Sequence, residues 1–342
     1  MKLKLEDIKK ITTGAVKIAE ENGKFIFSRF TDEQLELYEK YSREKDTDFD
    51  KKCKATSGIK FKFKTNSLRL GLKVDVLPST SRKYFAFDVF VDGKMIGSLD
   101  NFSDVTLPLD YTKVELPLGK FSKEFFLGEG EKEVTVYLPW SVQSLIEEVS
   151  LDDNSYYEEI KAKKTLLAFG DSITQGYDAL HPSLRYACQL CNKLNVDELN
   201  KGIGGEVFFP QLAKAKDNFT PDYITVAYGT NDFSKSSEED FKVRCSDFFN
   251  ALSENYPNSK IFAITPIWRS DYKGPREFGA FEKVEEHIKN TAEPLENVVV
   301  ISGFDLVPKD EKFYSDLRLH PNDNGFMFYA DNLYNEIAKE VL

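Results

Sequence analysis

The sequence predicts two units of different fold class: a small antiparallel β-sandwich, then an α/β unit on a doubly wound parallel sheet. Three observations carry this. Through the first half, apolar residues alternate with polar ones, the period of half-buried strands. From Lys164 onward, short apolar runs alternate with amphipathic helical stretches, the pattern of strand–helix–strand units. Between the two, the polar stretch Asp152-Asp-Asn-Ser-Tyr-Tyr-Glu-Glu-Ile reads as a linker. The expected division is residues 1–155 and 156–342.

In the first unit, Lys60 and Lys62 separate Ile59, Phe61 and Phe63, giving one apolar and one charged face. Leu68, Leu70, Leu72, Val74 and Val76 repeat the alternation. Phe85, Phe87, Val89 and Val91 run into Asp92-Gly93, a two-residue hairpin signal. Val134, Val136 and Leu138 form a further strand, stopped by Pro139. A short helix is expected from Thr31, its N-cap, to Tyr41. In the second unit, buried strands are expected at residues 164–169, 196–199, 223–228, 261–266 and 298–301. Helices fill most of the gaps, including 241–256 and 281–289, and the last starts near Asn322.

The 342 residues, 41% of them hydrophobic, can bury a real core without disulfides or metal. A net charge of -11 repels phosphate, which argues against nucleic-acid partners and anionic lipid surfaces. The start, Met-Lys-Leu-Lys-Leu-Glu-Asp-Ile-Lys-Lys, has no apolar run of signal-peptide length, and no stretch has membrane-spanning length. A cytoplasmic protein without a membrane partner is expected. Cys188-Gln-Leu-Cys191 has the spacing of a redox or zinc pair, but no second pair of ligands accompanies it. Packing under an amphipathic helix is the simpler reading.

Open α/β sheets carry their sites beyond the carboxyl ends of the strands. The first strand there ends in Gly170-Asp171-Ser172, the second leads to Gly204-Gly205-Glu206, and the third ends in Gly229-Thr230-Asn231-Asp232. The loop after the fifth reaches His320. A serine hydroxyl is a weak nucleophile without a base, and an imidazole titrates near neutrality. Attack on an ester creates an oxyanion, for which the amides of Ser172 and Gly205 and the carboxamide of Asn231 are candidate donors.

These blocks resemble, in order, those of the SGNH (GDSL-type) hydrolase superfamily, across roughly residues 164–342. The resemblance implies a flavodoxin-like sheet, Ser172 as nucleophile, Gly205 and Asn231 in the oxyanion hole, and His320 as base. It implies no metal and no cofactor. The Gly-x-Ser-x-Gly elbow of α/β-hydrolases is absent. One feature departs from the family, which commonly places aspartate three residues before histidine. That position is Leu317, and Asp316 stands four before. Either Asp316 orients the ring through a tighter turn, or a backbone carbonyl does so.

The preceding sandwich, jelly-roll-like in this reading, is similar in arrangement to carbohydrate esterase family 2, which removes acetyl groups from sugars. The expected function is therefore hydrolysis of short acyl esters, on a small-molecule or oligosaccharide substrate. Alternatives are a lipase or thioesterase for longer chains, and a degenerate, glycan-binding protein. Trp268 and Phe233 are candidates for the substrate wall, since aromatic faces suit sugar rings. His181 is expected in a loop near the site, and His287 on a solvated helix face.

Overall fold

The computed structural model describes residues 1–108 and 110–341. The first region is a sandwich of two antiparallel sheets. One has strands in the order Lys17–Glu21, Lys24–Ser28, Val142–Leu151, Arg69–Pro78 and Gly119–Phe126. The other runs Thr12–Thr13, Lys60–Thr65, Lys132–Tyr137, Ala86–Val91 and Lys94–Asp100. Alternation decides what lies between them. Leu70, Leu72, Val74 and Val76 meet Phe61, Phe63, Val134 and Val136 in one buried cluster.

One expectation changes here. The polar stretch after Asp152 is not a free linker, because Tyr157–Glu159 pairs with Lys60–Thr65 and extends that sheet. The charged face of Lys60–Thr65 meets the second region at one end. Lys60 is 6% exposed, and its ammonium lies 3.7 Å from Asp197 of the parallel-sheet region.

The second region has five parallel strands in the order Asp197–Asn200, Thr165–Gly170, Tyr223–Ala227, Lys260–Ile264 and Val298–Ile301. This is the 2-1-3-4-5 order of a doubly wound, flavodoxin-like sheet. Side-chain alternation sends Leu167, Phe169, Ile224 and Val226 into one helical layer. Leu166, Ala168, Tyr223 and Phe262 enter the other. In the latter layer lies the helix Tyr186–Leu194, where Cys188 and Cys191 are free and buried. Burial pushes the Cys188 thiol up to about 12, as expected of a packing residue.

The helices Asp32–Lys45 and Phe49–Lys52 interrupt the sandwich sequence but pack on the parallel-sheet region. Thr31 caps the first, its hydroxyl accepting from Gln34 N–H at 3.2 Å while Gln34 Oε1 accepts from Thr31 N–H at 3.1 Å. Tyr38 and Tyr41 then meet Phe209 with ring centroids 5.6 and 5.1 Å away. The core of the second region thus borrows side chains from the first.

Candidate active site

Ser172 opens the four-residue helix Ser172–Gln175, directly after the strand Thr165–Gly170. Asp171 caps that helix, accepting from Ile173 N–H at 2.9 Å. Burial pushes the Asp171 carboxyl up to about 6. The Ser172 hydroxyl lies 2.9 Å from His320 Nε2, and His320 Nδ1 lies 2.9 Å from Asp316 Oδ2. The other oxygen of Asp316 accepts from the amides of Arg318, Leu319 and His320 at 3.0, 2.7 and 3.1 Å. Burial opposes ionisation of Asp316. The bond to His320 and the amide donors outweigh it and hold the carboxyl well below the usual range.

The extra residue between Asp316 and His320 is accommodated in the backbone. Leu317 has φ +54, a left-handed conformation unfavourable for a bulky side chain by about 1 kcal/mol. The loop closes where Ser315 N–H donates to the His320 carbonyl at 2.9 Å.

A second carboxylate faces the same imidazole. Asp178 Oδ2 is 3.5 Å from His320 Nδ1, and the Asp178 side chain is fully buried. Arg82 from the sandwich region grips it with Nε at 2.5 Å and Nη2 at 3.0 Å. Tyr84 and Ser315 donate hydroxyls at 3.0 and 2.9 Å. Tyr177 stacks on His320 at a centroid distance of 5.7 Å, with Trp140 behind it at 5.0 Å. Asp178, Asp316 and His320 place ligand atoms within 4.8 Å of one another, a spacing that could hold a cation. Their hydrogen bonds already account for them, since Arg82 matches one carboxylate and His320 with three amides matches the other.

On the opposite side of Ser172, the loop 202–206 is tied down by polar side chains. Gly204 N–H donates to Gln175 Oε1 at 2.8 Å. Gly204 must lack a β-carbon, which would fall 2.5 Å from the Tyr177 hydroxyl, and Gly205 has φ +87. Asn231 Nδ2 donates to the Glu206 carbonyl at 3.0 Å, using one of its two N–H bonds. Among the described residues, the amides of Ser172 and Gly205 donate to no protein acceptor. Burial pushes the Glu206 carboxyl up to about 8, against the bond from the Tyr228 hydroxyl at 2.6 Å. Likewise, burial raises Asp232 to about 7.

The structure therefore brings Ser172, His320, Asp316, Gly205 and Asn231 to one rim. Phe233 stands apart. It is 1% exposed, with Phe278 and Phe281 around its ring and Arg269 over it, so it walls no pocket. Trp268 is 9% exposed and packs against Tyr314, leaving only a narrow surface for a sugar. His181 bonds Asp88 of the sandwich at 2.7 Å, so it ties the two regions together. His287 is not solvated. Its side chain is 13% exposed and pairs with Glu238 at 2.7 Å. Asp178, Arg82 and Tyr177 escaped the sequence reading. Asp178 lies six residues after Ser172, but nothing local marks Arg82, 96 residues away, as its partner.

Residues 168–327 match the model of the GDSL-like Lipase/Acylhydrolase family. With the sheet order above, this makes the second region a GDSL-type (SGNH) acylhydrolase domain and the chain a carboxylic ester hydrolase. The two-region arrangement is shared with solved structures of low sequence identity. Salicylyl-acyltransferase SsfX3 from a tetracycline biosynthetic pathway superimposes with a TM-score of 0.78 at 20% identity, covering 97% of this chain and 95% of that one. A family two carbohydrate esterase from Cellvibrio japonicus gives 0.66 at 15% identity, over 99% and 97%. The acetyl xylan esterase Est2A from the rumen bacterium Butyrivibrio proteoclasticus gives 0.63 at 16%, over 100% and 98%. No curated protein matches the sequence. No helix among the described residues is long and apolar enough to cross a membrane.

Proposed function

We propose that the protein hydrolyses short acyl esters, acetyl foremost, on carbohydrate-like alcohols, with Ser172, His320 and Asp316 as a triad. The observation that carries this is the continuous chain from Ser172 Oγ to His320 Nε2 and from Nδ1 to Asp316, at 2.9 Å each. His320 Nε2 takes the hydroxyl proton as Ser172 Oγ bonds to the ester carbonyl carbon. The negative oxygen is met by the amides of Ser172 and Gly205 and the second N–H of Asn231. Collapse breaks the bond to the alcohol, which leaves with the proton from His320. Water, deprotonated by the same nitrogen, then attacks the acyl-enzyme and releases the acid.

Asp316 keeps the Nδ1 proton in place, so that Nε2 is free to accept. Acetyl preference is supported by the two-region likeness to an acetyl xylan esterase. The carbohydrate assignment is supported by the likeness to a family two carbohydrate esterase and to an acetyl xylan esterase.

The test is kcat/KM over acetate, butyrate and octanoate esters of 4-nitrophenol, then over acetylated sugars and matched alkyl acetates. Rates falling with chain length and favouring sugars support the reading. A chain that buries each methylene would gain roughly 0.8 kcal/mol per step, so rising rates would reassign it to lipase or thioesterase. Equal rates for sugar and alkyl acetates would remove the carbohydrate assignment. Glycan binding by an inactive wild type would favour the degenerate alternative.

A further inference from the structure

Two ammonium groups border the glycine loop, and the proposed reaction uses neither. Lys52 ends the helix Phe49–Lys52 and donates to the Gly204 carbonyl at 2.8 Å while pairing with Asp48 at 2.7 Å. Lys235 ends the helix Thr230–Lys235 and donates to the Gly205 carbonyl at 2.7 Å. No carboxylate pairs with Lys235 among the described residues. Both nitrogens converge on one place: a β-carbon on Gly205 would stand 3.3 Å from Lys235 Nζ and 3.9 Å from Lys52 Nζ. Burial and the neighbouring Lys52 charge hold Lys235 below the usual lysine range, as for a cation short of a counter-ion. A carbonyl dipole satisfies its hydrogen bond without neutralising its charge.

The other flank is built alike. Asp271 accepts from Arg269, Arg276 and Arg318, so three guanidinium groups share one carboxylate. Arg269 also donates to the carbonyl of Thr230, the neighbour of Asn231, and Arg318 is two residues from His320. Arg269, Arg276 and Arg318 thus outnumber the one carboxylate they share, while Asp178 and Asp316 stand matched beside His320. At the glycine loop, Lys235 keeps a charge that no carboxylate pairs with among the described residues. An ammonium group in that state attracts an anionic substituent held beside it.

We propose that the ester's alcohol portion carries an anionic substituent, a carboxylate or phosphate, that seats between Lys52 and Lys235 beside the oxyanion loop. The inference rests on the esterase reading. It places the anion on the leaving portion because an acetyl group has no position to carry one.

Three matched aryl acetates test it: phenyl acetate, 3-acetoxybenzoate and 3-acetoxyphenyl phosphate. Each kcat/KM is divided by the uncatalysed hydrolysis rate, for wild type, Lys235→Gln, Lys52→Gln and the double variant. Wild type should favour an anionic ester by about tenfold or more, the worth of one charge-assisted contact. Lys235→Gln should remove most of that preference, the double variant all of it, and salt of roughly 0.5 M should shrink it. Whichever anion gains more identifies the group. Lys235 has an exposed stem, so its variant keeps the test alive if replacing Lys52 unfolds the chain. Equal wild-type rates, or a preference that survives the double substitution, overturn the inference and leave the esterase standing. So does an equal loss on all three esters in Lys235→Gln, which would assign that lysine to the oxyanion's field. No hydrolysis of any ester overturns the esterase reading itself, and this inference with it.

Discussion

The two sides of Ser172 are built on opposite plans. On the histidine side the polar groups are matched. The Asp316 carboxylate meets an imidazole and three amides, and the Asp178 carboxylate meets a guanidinium and two hydroxyls. On the glycine side, donors are held in place but left unfilled: two amides, one N–H of Asn231 and a lysine without a carboxylate. In the proposed reaction, the difference follows from what each side would have to do. A base has to keep one tautomer and one orientation throughout, so its partners are permanent. An oxyanion exists only in passing, so its donors must be rigid and empty beforehand. Gln175 and Asn231 supply the rigidity by bonding backbone that is not itself the donor.

The sharpest way to break this comparison is to remove the atom that both sides serve. Ser172→Ala should lower kcat by about 10⁶-fold with the fold intact, the loss for one member of such a unit. Near-normal turnover in a pure sample would end the mechanism. Next in size is the pair of carboxylates. Asp316→Asn with Asp178→Asn should cost roughly 10⁴-fold in kcat with little change in KM. Asp316→Asn alone should cost less, because Asp178 stands 3.5 Å from the same nitrogen. If the single variant is as slow as the double, Asp178 gives no support to the ring.

On the other side, Asn231→Ala should cost roughly 10²- to 10³-fold, in kcat and not in KM. An effect confined to KM would make Asn231 a ground-state contact. Glu206, beneath the glycine loop, tests the cost of keeping that side rigid. Between its ordinary 4.5 and about 8, the folded chain holds a proton that the unfolded chain releases. Stability therefore falls as pH rises through that window, by on the order of 3 kcal/mol at pH 7. Asp171 and Asp232, raised to about 6 and 7, act with the same sign. Glu206→Gln should flatten the denaturation midpoint between pH 5 and 8; an unchanged slope would show that Glu206 titrates normally. The smallest effect belongs to Leu317. Leu317→Asn should raise stability by up to about 1 kcal/mol, since asparagine tolerates positive φ and the leucine is already exposed. A lower melting temperature would contradict strain at that residue.

What the sequence reveals divides along the same lines. Periodicity is local, so the alternation in Leu68–Val76 and the apolar runs of the parallel strands are visible without a structure. Three of the four blocks are visible because they follow strand ends, and the fourth because His320 stands in the long loop after Val298–Ile301. Their odd spacing at Asp316 is visible too, but the left-handed Leu317 that reconciles it is not, as leucine rarely marks such a turn. Contacts between distant segments leave no local trace. That is why Arg82 on Asp178, Tyr38 on Phe209 and the strand Tyr157–Glu159 went unread. Phe233 misled for a related reason. Next to a rim residue in sequence, it lies on the inward side of its helix and meets Phe278 and Phe281 instead.

The Arg82–Asp178 pair also bears on ancestry and engineering. Arg82 belongs to the sandwich strands' connecting loop, while Asp178 follows the nucleophile and has its side chain fully buried. A fragment lacking the first region would leave that carboxylate without its cation, beside the imidazole, at a cost of several kcal/mol. The two regions thus have to be inherited together. Recombination that exchanged one front half for another would succeed only where the donor also brings an arginine to the same corner. Library designs that graft new front domains onto this hydrolase should carry residues 80–84 across with the graft.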